Sequence, residues 1–368
     1  MRNDWAKIES ETIDWLRPVM AFMVICLHVQ FFYVDEQWSM NGGLFDVFVI
    51  VLCKVICPVA VPTFYFISGY LFYKGLQEWN ADAWKGKMTK RIRSLLVPFL
   101  LWNIIALIAF PLTRYAGSVI KGVPMDNFLD IIRERGFLRL FWDRTLFDGS
   151  IGQPMNTPLW FLRDLMVVML FTPVIHWLVK RTGALSVLVL GTLYLVNLWI
   201  PVPGFGITAA FFFTWGSLYS IRGQGFIERF RKIRIPVLIL FVAGLIITPM
   251  LWDKDNQAFN RALRFFIIIT TVFCFNTISS LIAEEKTHVN RNLADSSFFI
   301  YCSHMVIIAS AVMWLVMLPP FRSGIISSLL FIIGAILIYI ICHFIYVFLE
   351  RFCPSIAGAL TGGRIKNK

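Results

Sequence analysis

Long apolar runs separated by short charged islands are the feature that most constrains how this chain can fold. Several runs reach about 18 apolar residues or more, the length at which a helix crosses the hydrocarbon layer of a bilayer. Within that layer every backbone N–H and C=O must pair inside the protein, so spanning segments are helices or closed barrels. Barrel strands alternate in polarity, and a run such as 329–349 does not alternate. The sequence therefore predicts an all-α, polytopic integral membrane protein built as a helical bundle.

The composition fits that class and excludes others. Hydrophobic residues make up 58% of the 368 residues and charged residues 15%, below the roughly 25% of a soluble domain. A net charge of +12 would suggest nucleic acid in a soluble protein, but here the positive-inside rule accounts for it. The seven cysteines are scattered and form no C-x-x-C pair, so we expect no metal site. We expect a single membrane domain over 1–368, the lipid bilayer as a partner, and no nucleic-acid partner.

Ten spans are predicted, with both termini in the cytoplasm. In this orientation the inside segments hold 21 Lys and Arg residues and the outside segments hold 9. An excess of Lys and Arg is typical of the cytoplasmic loops of membrane proteins. Residues 114–158 form an extracytoplasmic loop in which we expect a short amphipathic helix at the interface. Pro58 and Pro62 predict a kink in the second span. The spans are placed at 13–34, 44–73, 95–113, 159–178, 184–201, 207–221, 235–252, 263–283, 295–317 and 325–348.

Ionisable residues in the first span are candidates for function, because a charge in hydrocarbon needs a partner or a cavity. Arg17 and His28 are 11 residues apart; at 100° per residue the offset is about 20°, so both lie on one face, about 16 Å apart along the axis. Asp14 lies one turn before Arg17 and can pair with it. This stripe predicts a water-accessible cavity. An interface anchor for Arg17 and a hydrogen-bonded core histidine for His28 are the alternatives.

The second span and the loop after it carry two further polar features. Ser68-Gly69 permits close approach of another helix backbone, and helix packing is one reading of this pair. Lys90, Arg91 and Arg93 belong to a basic cluster on the predicted cytoplasmic side. That cluster is either a topology signal that attracts anionic lipid or a phosphate-binding patch, since arginine pairs bidentately with phosphate.

The fourth and ninth spans also contain ionisable residues. Arg163 and Asp164 are adjacent, so on a helix we expect them not to face each other, and each needs its own partner. Trp160 suits an interfacial position. His304 lies about two turns into the ninth span, where it is either a structural histidine or part of a site.

Five short motifs follow one another in a fixed order along the chain. They are Arg17-x10-His28, FYFISGYLF (64–72), KRIRSLLVPF (90–99), LWFLRDL (159–165) and the histidine segment 297–304. In this order they resemble the motifs of acyltransferase family 3, a family of membrane proteins. Many members have a glutamate-rich version of the fourth-span motif where this chain has Arg163-Asp164. This difference leaves the subfamily, and hence the acceptor, open.

The resemblance implies transfer of an acyl group, commonly acetyl, from cytoplasmic acyl-CoA to a hydroxyl of an extracytoplasmic glycan or glycolipid. It implies a multi-pass protein of the inner, or cytoplasmic, membrane with acyl-CoA as donor substrate and no permanently bound cofactor. His28 is implied to be a base or a transient acyl carrier, with Arg17 as the second catalytic residue. The residues implied to hold the CoA phosphates are Arg17, Lys90, Arg91 and Arg93. Those implied to line the substrate site are Ser68, Trp160, Arg163, Asp164, Tyr301 and His304.

Two functions from other classes suit the same helices and buried polar residues. One is a transporter or flippase for a glycan-lipid, and the other is a non-catalytic partner in surface-polymer export. A transporter would not need a phosphate-binding cluster, and it would usually show inverted repeats, which are not evident in this sequence.

The charge asymmetry leads to a topology prediction. Reporter fusions after residue 80 and at residue 368 should both report the cytoplasm, and a fusion after residue 130 should report the outside. A fusion at residue 368 that reports the outside would mean an odd number of spans and would contradict the ten-span arrangement.

Overall fold

The chain is almost wholly helical in the parts that the structure, a computed structural model, describes: residues 4–30, 43–76, 78–121, 139–142, 153–200, 202, 204–252, 257–316 and 324–363. The predicted amphipathic helix of the 114–158 loop lies outside these residues, apart from one short helical turn. The α-helices are α1 (Trp5–Val29), α2 (Leu44–Val49), α3 (Ala60–Tyr73), α4 (Ala81–Arg91), α5 (Val97–Lys121), α6 (Arg139–Trp142), α7 (Trp160–Leu170), α8 (Thr172–Thr182), α9 (Ala184–Val196), α10 (Ile207–Ile221), α11 (Phe226–Arg231), α12 (Arg234–Met250), α13 (Gln257–Ala283), α14 (Arg291–Ser303), α15 (Ala309–Val316), α16 (Gly324–Phe352) and α17 (Pro354–Thr361).

The helices confirm a helical membrane protein. Within the described residues, 5 helical stretches are long and apolar enough to cross a membrane, or up to 6 if a pair bent by 63°, α7 and α8, is one span. Three shorter apolar helices, α9, α10 and α12, lie at other predicted spans. The helical run 291–316 lies at the ninth. The number of ten spans and the position of the termini remain predictions.

The second predicted span is one helical run that changes its hydrogen-bond pattern. A π-helical segment over Ile50–Ile56 follows α2, a 3₁₀ turn over Cys57–Val59 comes next, and α3 then begins. Pro58 lies in the 3₁₀ turn and Pro62 in the first turn of α3, and neither has a backbone donor. The irregular stretch therefore coincides with the position where the prolines predicted a kink.

Helix α1 lies at the centre of the bundle, where it packs against α3, α13, α14 and α16. Three consecutive residues near its end, Val24, Ile25 and Cys26, are 2%, 0% and 0% exposed. Consecutive residues point about 100° apart, so these three bury about 200° of the helix surface, while Met23 and Leu27 on the remaining face are only partly buried. The buried side of such a helix can carry polar groups without exposing them to hydrocarbon.

Carboxylates near the start of α1 tie it to its neighbours. Asp14 accepts a bond of 2.6 Å from Arg17, which confirms the predicted pair, and it also pairs with Arg291 at the start of α14. Glu9 is buried and accepts hydrogen bonds from the Tyr70 hydroxyl and, at 3.1 Å, from the backbone N–H of Phe226. These bonds fix the depth and rotation of α1 relative to α3, α11 and α14.

Helices α3 and α10 form the most extensive helix contact, and glycine makes their close approach possible. A Cβ at Gly69 would lie 2.0 Å from the carbonyl oxygen of Phe213, and a Cβ at Gly216 would lie 2.0 Å from that of Phe66. Ser220 adds a hydrogen bond of 2.5 Å to the Tyr70 carbonyl. The approach expected at Ser68-Gly69 is thus confirmed, and small residues at helix crossings do this widely in membranes.

Substitution at this crossing should destabilise the fold. Gly69→Ala and Gly216→Ala each force a methyl group into a backbone carbonyl that cannot move without separating the helices, so we expect a loss of about 1–3 kcal/mol or more. The melting temperature of the detergent-solubilised protein should fall. Gly86→Ala is the matched control, because a Cβ there meets nothing within 4 Å. Equal melting temperatures for Gly69→Ala and Gly86→Ala would contradict the close crossing.

Candidate active site

A cavity of about 410 Å³ lies among α1, α3, α4, α7 and α14. We call it the inner cavity, because its walls lie toward the predicted cytoplasmic ends of these helices. Four of the residues predicted from the sequence line it: Arg17, Ser68, Arg91 and Tyr301. They come from four helices that are far apart in the sequence, and its size falls in the range of ligand pockets in proteins.

Helical periodicity explains which side chains line the inner cavity. In α3 the lining residues are Phe64, Ile67, Ser68 and Leu71, and in α14 they include Ala294, Ser297, Phe298 and Tyr301. Residues three and four apart share a face of a helix, so each helix contributes one stripe. The stripes combine hydroxyl groups with aromatic rings, which suits a ligand that has polar and apolar parts.

The charges of the inner cavity are two guanidinium groups and one carboxylate, those of Arg17, Arg91 and Asp295. Arg17 is paired with Asp14, which also pairs with Arg291. Two arginines therefore share one carboxylate, and this group of three keeps one net positive charge. The cavity presents positive charge to a ligand, which is the condition for binding phosphate groups.

Lys90 and Arg93 lie outside the inner cavity, and both are exposed. Arg91 and Arg93 are two residues apart, and residues at that spacing do not share a face of a helix. A π-helical segment over Ile92–Leu96 follows Arg91 directly. The basic cluster is therefore divided, with one arginine directed into the bundle and the other two cations on the surface.

His28 and His304 meet in the bundle interior. Nε2 of His304 lies 3.3 Å from Nδ1 of His28, and the rings form an edge-to-face pair with centroids 5.1 Å apart. His304 is 0% exposed and His28 is 8% exposed. His304 begins a π-helical turn, His304–Ile308, a feature often found at functional sites. The structure thus brings together two histidines that the sequence had placed in separate helices.

The hydrogen bonds assign the protons of the two rings in their neutral forms. Nδ1 of His304 lies 3.1 and 2.9 Å from the carbonyl oxygens of Ile300 and Tyr301. Carbonyls only accept, so Nδ1 carries the proton and Nε2 of His304 is an acceptor. Nδ1 of His28 lies 2.8 Å from the Val24 carbonyl and 3.3 Å from that acceptor, so it too carries its proton. The basic lone pair of His28 is then on Nε2.

A second cavity, of about 300 Å³, is lined by residues from α1, α3, α7, α9, α10 and α13. Leu27, Trp160, Tyr194 and Arg264 are among its lining residues, and we call it the outer cavity. His28 follows Leu27 in α1, while His304 lies one turn after Tyr301, which lines the inner cavity. Neither His28 nor His304, which the sequence had grouped with the site-lining residues, lines either cavity; each lies within one turn of a residue that does.

Trp160 belongs to the outer cavity, although the sequence grouped it with residues that line the inner one. The next residues of α7, Phe161 and Leu162, line the inner cavity. One step of about 100° along a helix is sufficient to direct neighbouring side chains into different cavities.

Arg163 and Asp164 line neither cavity, and the expectation that they would not face each other is wrong. Nε and Nη2 of Arg163 donate to one Asp164 oxygen at 3.0 and 2.8 Å. Both side chains are buried, and a long arginine side chain can fold back to an adjacent carboxylate where water does not compete. Arg163 also donates from Nη1 to the Trp142 carbonyl at 2.6 Å. The pair therefore fastens α6 to α7.

Two features of the site were missed in the sequence. The His28–His304 contact joins helices that sequence spacing cannot relate. Arg264, by contrast, carried a readable signal: together with Arg17, Lys54 and Arg163 it is one of the four Lys and Arg residues inside the predicted spans. Charges at such positions are functional candidates by default.

Comparison with known proteins identifies the family. Residues 10–347 match the acyltransferase domain that defines acyltransferase family 3. The chain is 26% identical over 376 residues, which cover 96% of this chain and 92% of the relative, to the succinoglycan biosynthesis protein ExoH of Rhizobium meliloti (strain 1021). No solved structure matches the chain. With a match that runs through nearly all of its helices, the chain belongs to acyltransferase family 3 and is a membrane enzyme that transfers acyl groups.

Proposed function

We propose that the protein is an O-acyltransferase of the cell membrane that moves an acyl group, of which acetyl is the simplest, from cytoplasmic acyl-CoA to a hydroxyl of an extracytoplasmic glycan or glycolipid. The observation that carries this proposal is the buried contact between His28 and His304, because the helix that carries His28 also lines a positively charged cavity through Arg17 and a second cavity through Leu27. The name of the relative, a succinoglycan biosynthesis protein, supports a polysaccharide or its precursor as acceptor.

The inner cavity is the proposed donor site. Acyl-CoA carries a 3′-phosphate and a pyrophosphate, and Arg17 and Arg91 present guanidinium groups at the cavity wall. Charge-assisted bonds from arginine to phosphate are stronger than neutral ones and can be bidentate. The acyl group then extends along the face of α1 toward His28, which lies about 16 Å farther along the axis.

His28 is the proposed general base. The acceptor hydroxyl transfers its proton to Nε2 of His28 as its oxygen attacks the thioester carbonyl carbon. The new C–O bond forms, the C–S bond breaks, and the proton passes to the departing sulfur of CoA. Acyl-CoA and an alcohol thus give an ester and free CoA without a further reactant.

His304 is a positioning residue in this scheme. When His28 becomes an imidazolium, its Nδ1–H remains between two acceptors, the Val24 carbonyl and Nε2 of His304. These bonds hold the ring in place and stabilise its positive charge, the role of the third group in a nucleophile–base–orienter arrangement.

Incubation of the purified protein with radiolabelled acetyl-CoA and a glycan acceptor tests the proposed reaction. Labelled glycan ester and free CoA should form together in equal amounts. A transporter or an export partner would give neither product, and failure to form both with any acceptor would refute the proposal.

Substitutions of the two histidines should have graded effects. His28→Ala removes the base, so we expect acyl transfer to fall by about 10²–10⁴-fold. His304→Ala leaves the Val24 bond and the lone pair of His28, so its turnover number should fall less while the KM for acyl-CoA stays unchanged. His343→Ala is the control, a half-buried histidine bonded to Ser296.

Near-normal turnover in folded His28→Ala would mean that His28 is a core histidine. Labelled protein that accumulates in wild type under acid quench, but not in His28→Ala, would identify an acyl carrier in place of a base.

The basic cluster can be tested one charge at a time. Arg91→Ala should weaken acyl-CoA binding roughly ten- to a hundredfold, because it removes charge-assisted bonds worth about 1.5–3 kcal/mol. Arg93→Ala is the matched variant: its charge is exposed, so a smaller effect that fades as salt is raised is expected.

In the wild-type protein, dephospho-CoA should compete with acyl-CoA for binding less well than CoA does. In Arg91→Ala the difference between the two competitors should be smaller. Equal competition by the two nucleotides, with unchanged donor affinity in both variants, would leave the cluster as a topology signal.

A further inference from the structure

Arg264 places a positive charge in the wall of the outer cavity. It lies in α13, at the second residue of the span predicted over 263–283, and its side chain is half-buried. Among the described residues no carboxylate lies within ion-pair distance of its guanidinium group. A charge inside a membrane helix is costly unless a partner or a ligand compensates it.

Neutral groups hold the guanidinium in a fixed position. Nη1 donates to the Tyr194 carbonyl at 2.9 Å, and Nη2 donates to Oδ1 of Asn197 at 2.7 Å. The guanidinium carbon lies 5.1 Å from the centroid of the Tyr194 ring, a distance that allows a cation–π contact. A guanidinium has five N–H donors, so donors remain for a ligand after these two bonds, and the charge is oriented but not neutralised.

The other walls of the outer cavity suit a sugar. Trp160 and Tyr194 contribute aromatic surface, against which the C–H faces of a sugar ring can pack, and Asn260 and Thr208 contribute polar side chains. Leu27 lines the same cavity, and the next residue in α1 is His28. His28 itself does not line this cavity, so a saccharide bound here would lie against the turn of α1 that carries the proposed base, on the predicted extracytoplasmic side of the bundle.

We infer that the outer cavity binds the acceptor saccharide and that Arg264 selects acceptors bearing a carboxylate close to the hydroxyl that is acylated. This inference rests on the proposed function, because it assigns the acceptor half of that reaction. The carboxylate of such an acceptor would neutralise the positive charge of Arg264. The planar guanidinium can bond to both carboxylate oxygens at once. Arg264 is thus a specificity-determining residue.

A structural role for Arg264 makes a different prediction. Its two hydrogen bonds are to residues at the end of α9, so it also caps that helix. If capping were its whole contribution, its loss would lower stability and weaken all acceptors alike. Discrimination between a charged and a neutral acceptor of the same shape separates the two roles.

The experiment uses a glucuronate-containing tetrasaccharide and the same tetrasaccharide with its carboxylate reduced to an alcohol. Binding of each to the full-length purified protein is measured by equilibrium dialysis for wild type, Arg264→Gln, Arg264→Lys and Arg261→Gln. Arg264→Lys keeps the charge if the glutamine variant does not fold. Arg261→Gln is the matched control, an exposed arginine one turn earlier in α13 that does not line the cavity.

Wild type and Arg261→Gln should bind the glucuronate compound at least tenfold more tightly than the reduced one. Arg264→Gln should bring the ratio of the two affinities to about one while binding of acyl-CoA stays unchanged, and Arg264→Lys should keep part of the preference. Equal binding of the two compounds by wild type, binding of neither, or an unchanged preference in Arg264→Gln would overturn the inference.

Acetyl transfer measured on the same two compounds keeps this inference apart from the reaction itself. Transfer without any charge preference would overturn the role of Arg264 and leave the proposed function in place. A binding preference that depends on Arg264, without acyl transfer to any acceptor, would support the site and refute the reaction.

Discussion

A helix that carries Glu9, Asp14, Arg17 and His28 cannot lie against hydrocarbon, and the rest of the bundle follows from this constraint. In the described part of the chain α1 packs against α3, α11, α13, α14 and α16, and each of these ionisable groups finds a partner there or lines a cavity. Glu9 bonds to groups of α3 and α11, and Asp14 joins Arg17 to Arg291. The bonds that hold the first half of the central helix therefore also fix Arg17, while His28 is held by the Val24 carbonyl and His304.

The two cavities explain how one face of α1 can serve two substrates of different chemistry. The inner cavity is lined by guanidinium groups and hydroxyls, while the outer one combines aromatic rings with a single cation. The histidine pair lines neither cavity and is almost completely buried. Under the proposed function this burial keeps water from the thioester, because a base that water could reach would promote hydrolysis as readily as transfer to a hydroxyl.

Local sequence patterns predicted most of the helices and the Asp14–Arg17 pair. The grouping of Arg17, Ser68, Arg91 and Tyr301 in one site was predicted from the resemblance to the family motifs. Apolar runs and i, i+3 spacing are local, so they can be read without the fold. The His28–His304 contact depends on how the first and ninth predicted spans pack, which no spacing encodes. The error at Arg163-Asp164 has a different cause: the spacing rule describes where side chains start, whereas a long guanidinium can fold back.

The partners of α1 come from distant parts of the chain. Trp15 bonds to Thr287, Asp14 to Arg291 and His28 to His304, at separations of 272, 277 and 276 residues. Chains are synthesised from the N-terminus at about 5–20 residues per second. Helix α1 therefore meets these partners only when most of the chain has been made. Until then Asp14 has Arg17 of its own helix as its ionic partner, and a chain that ends before residue 287 leaves Trp15 and His28 without these hydrogen bonds.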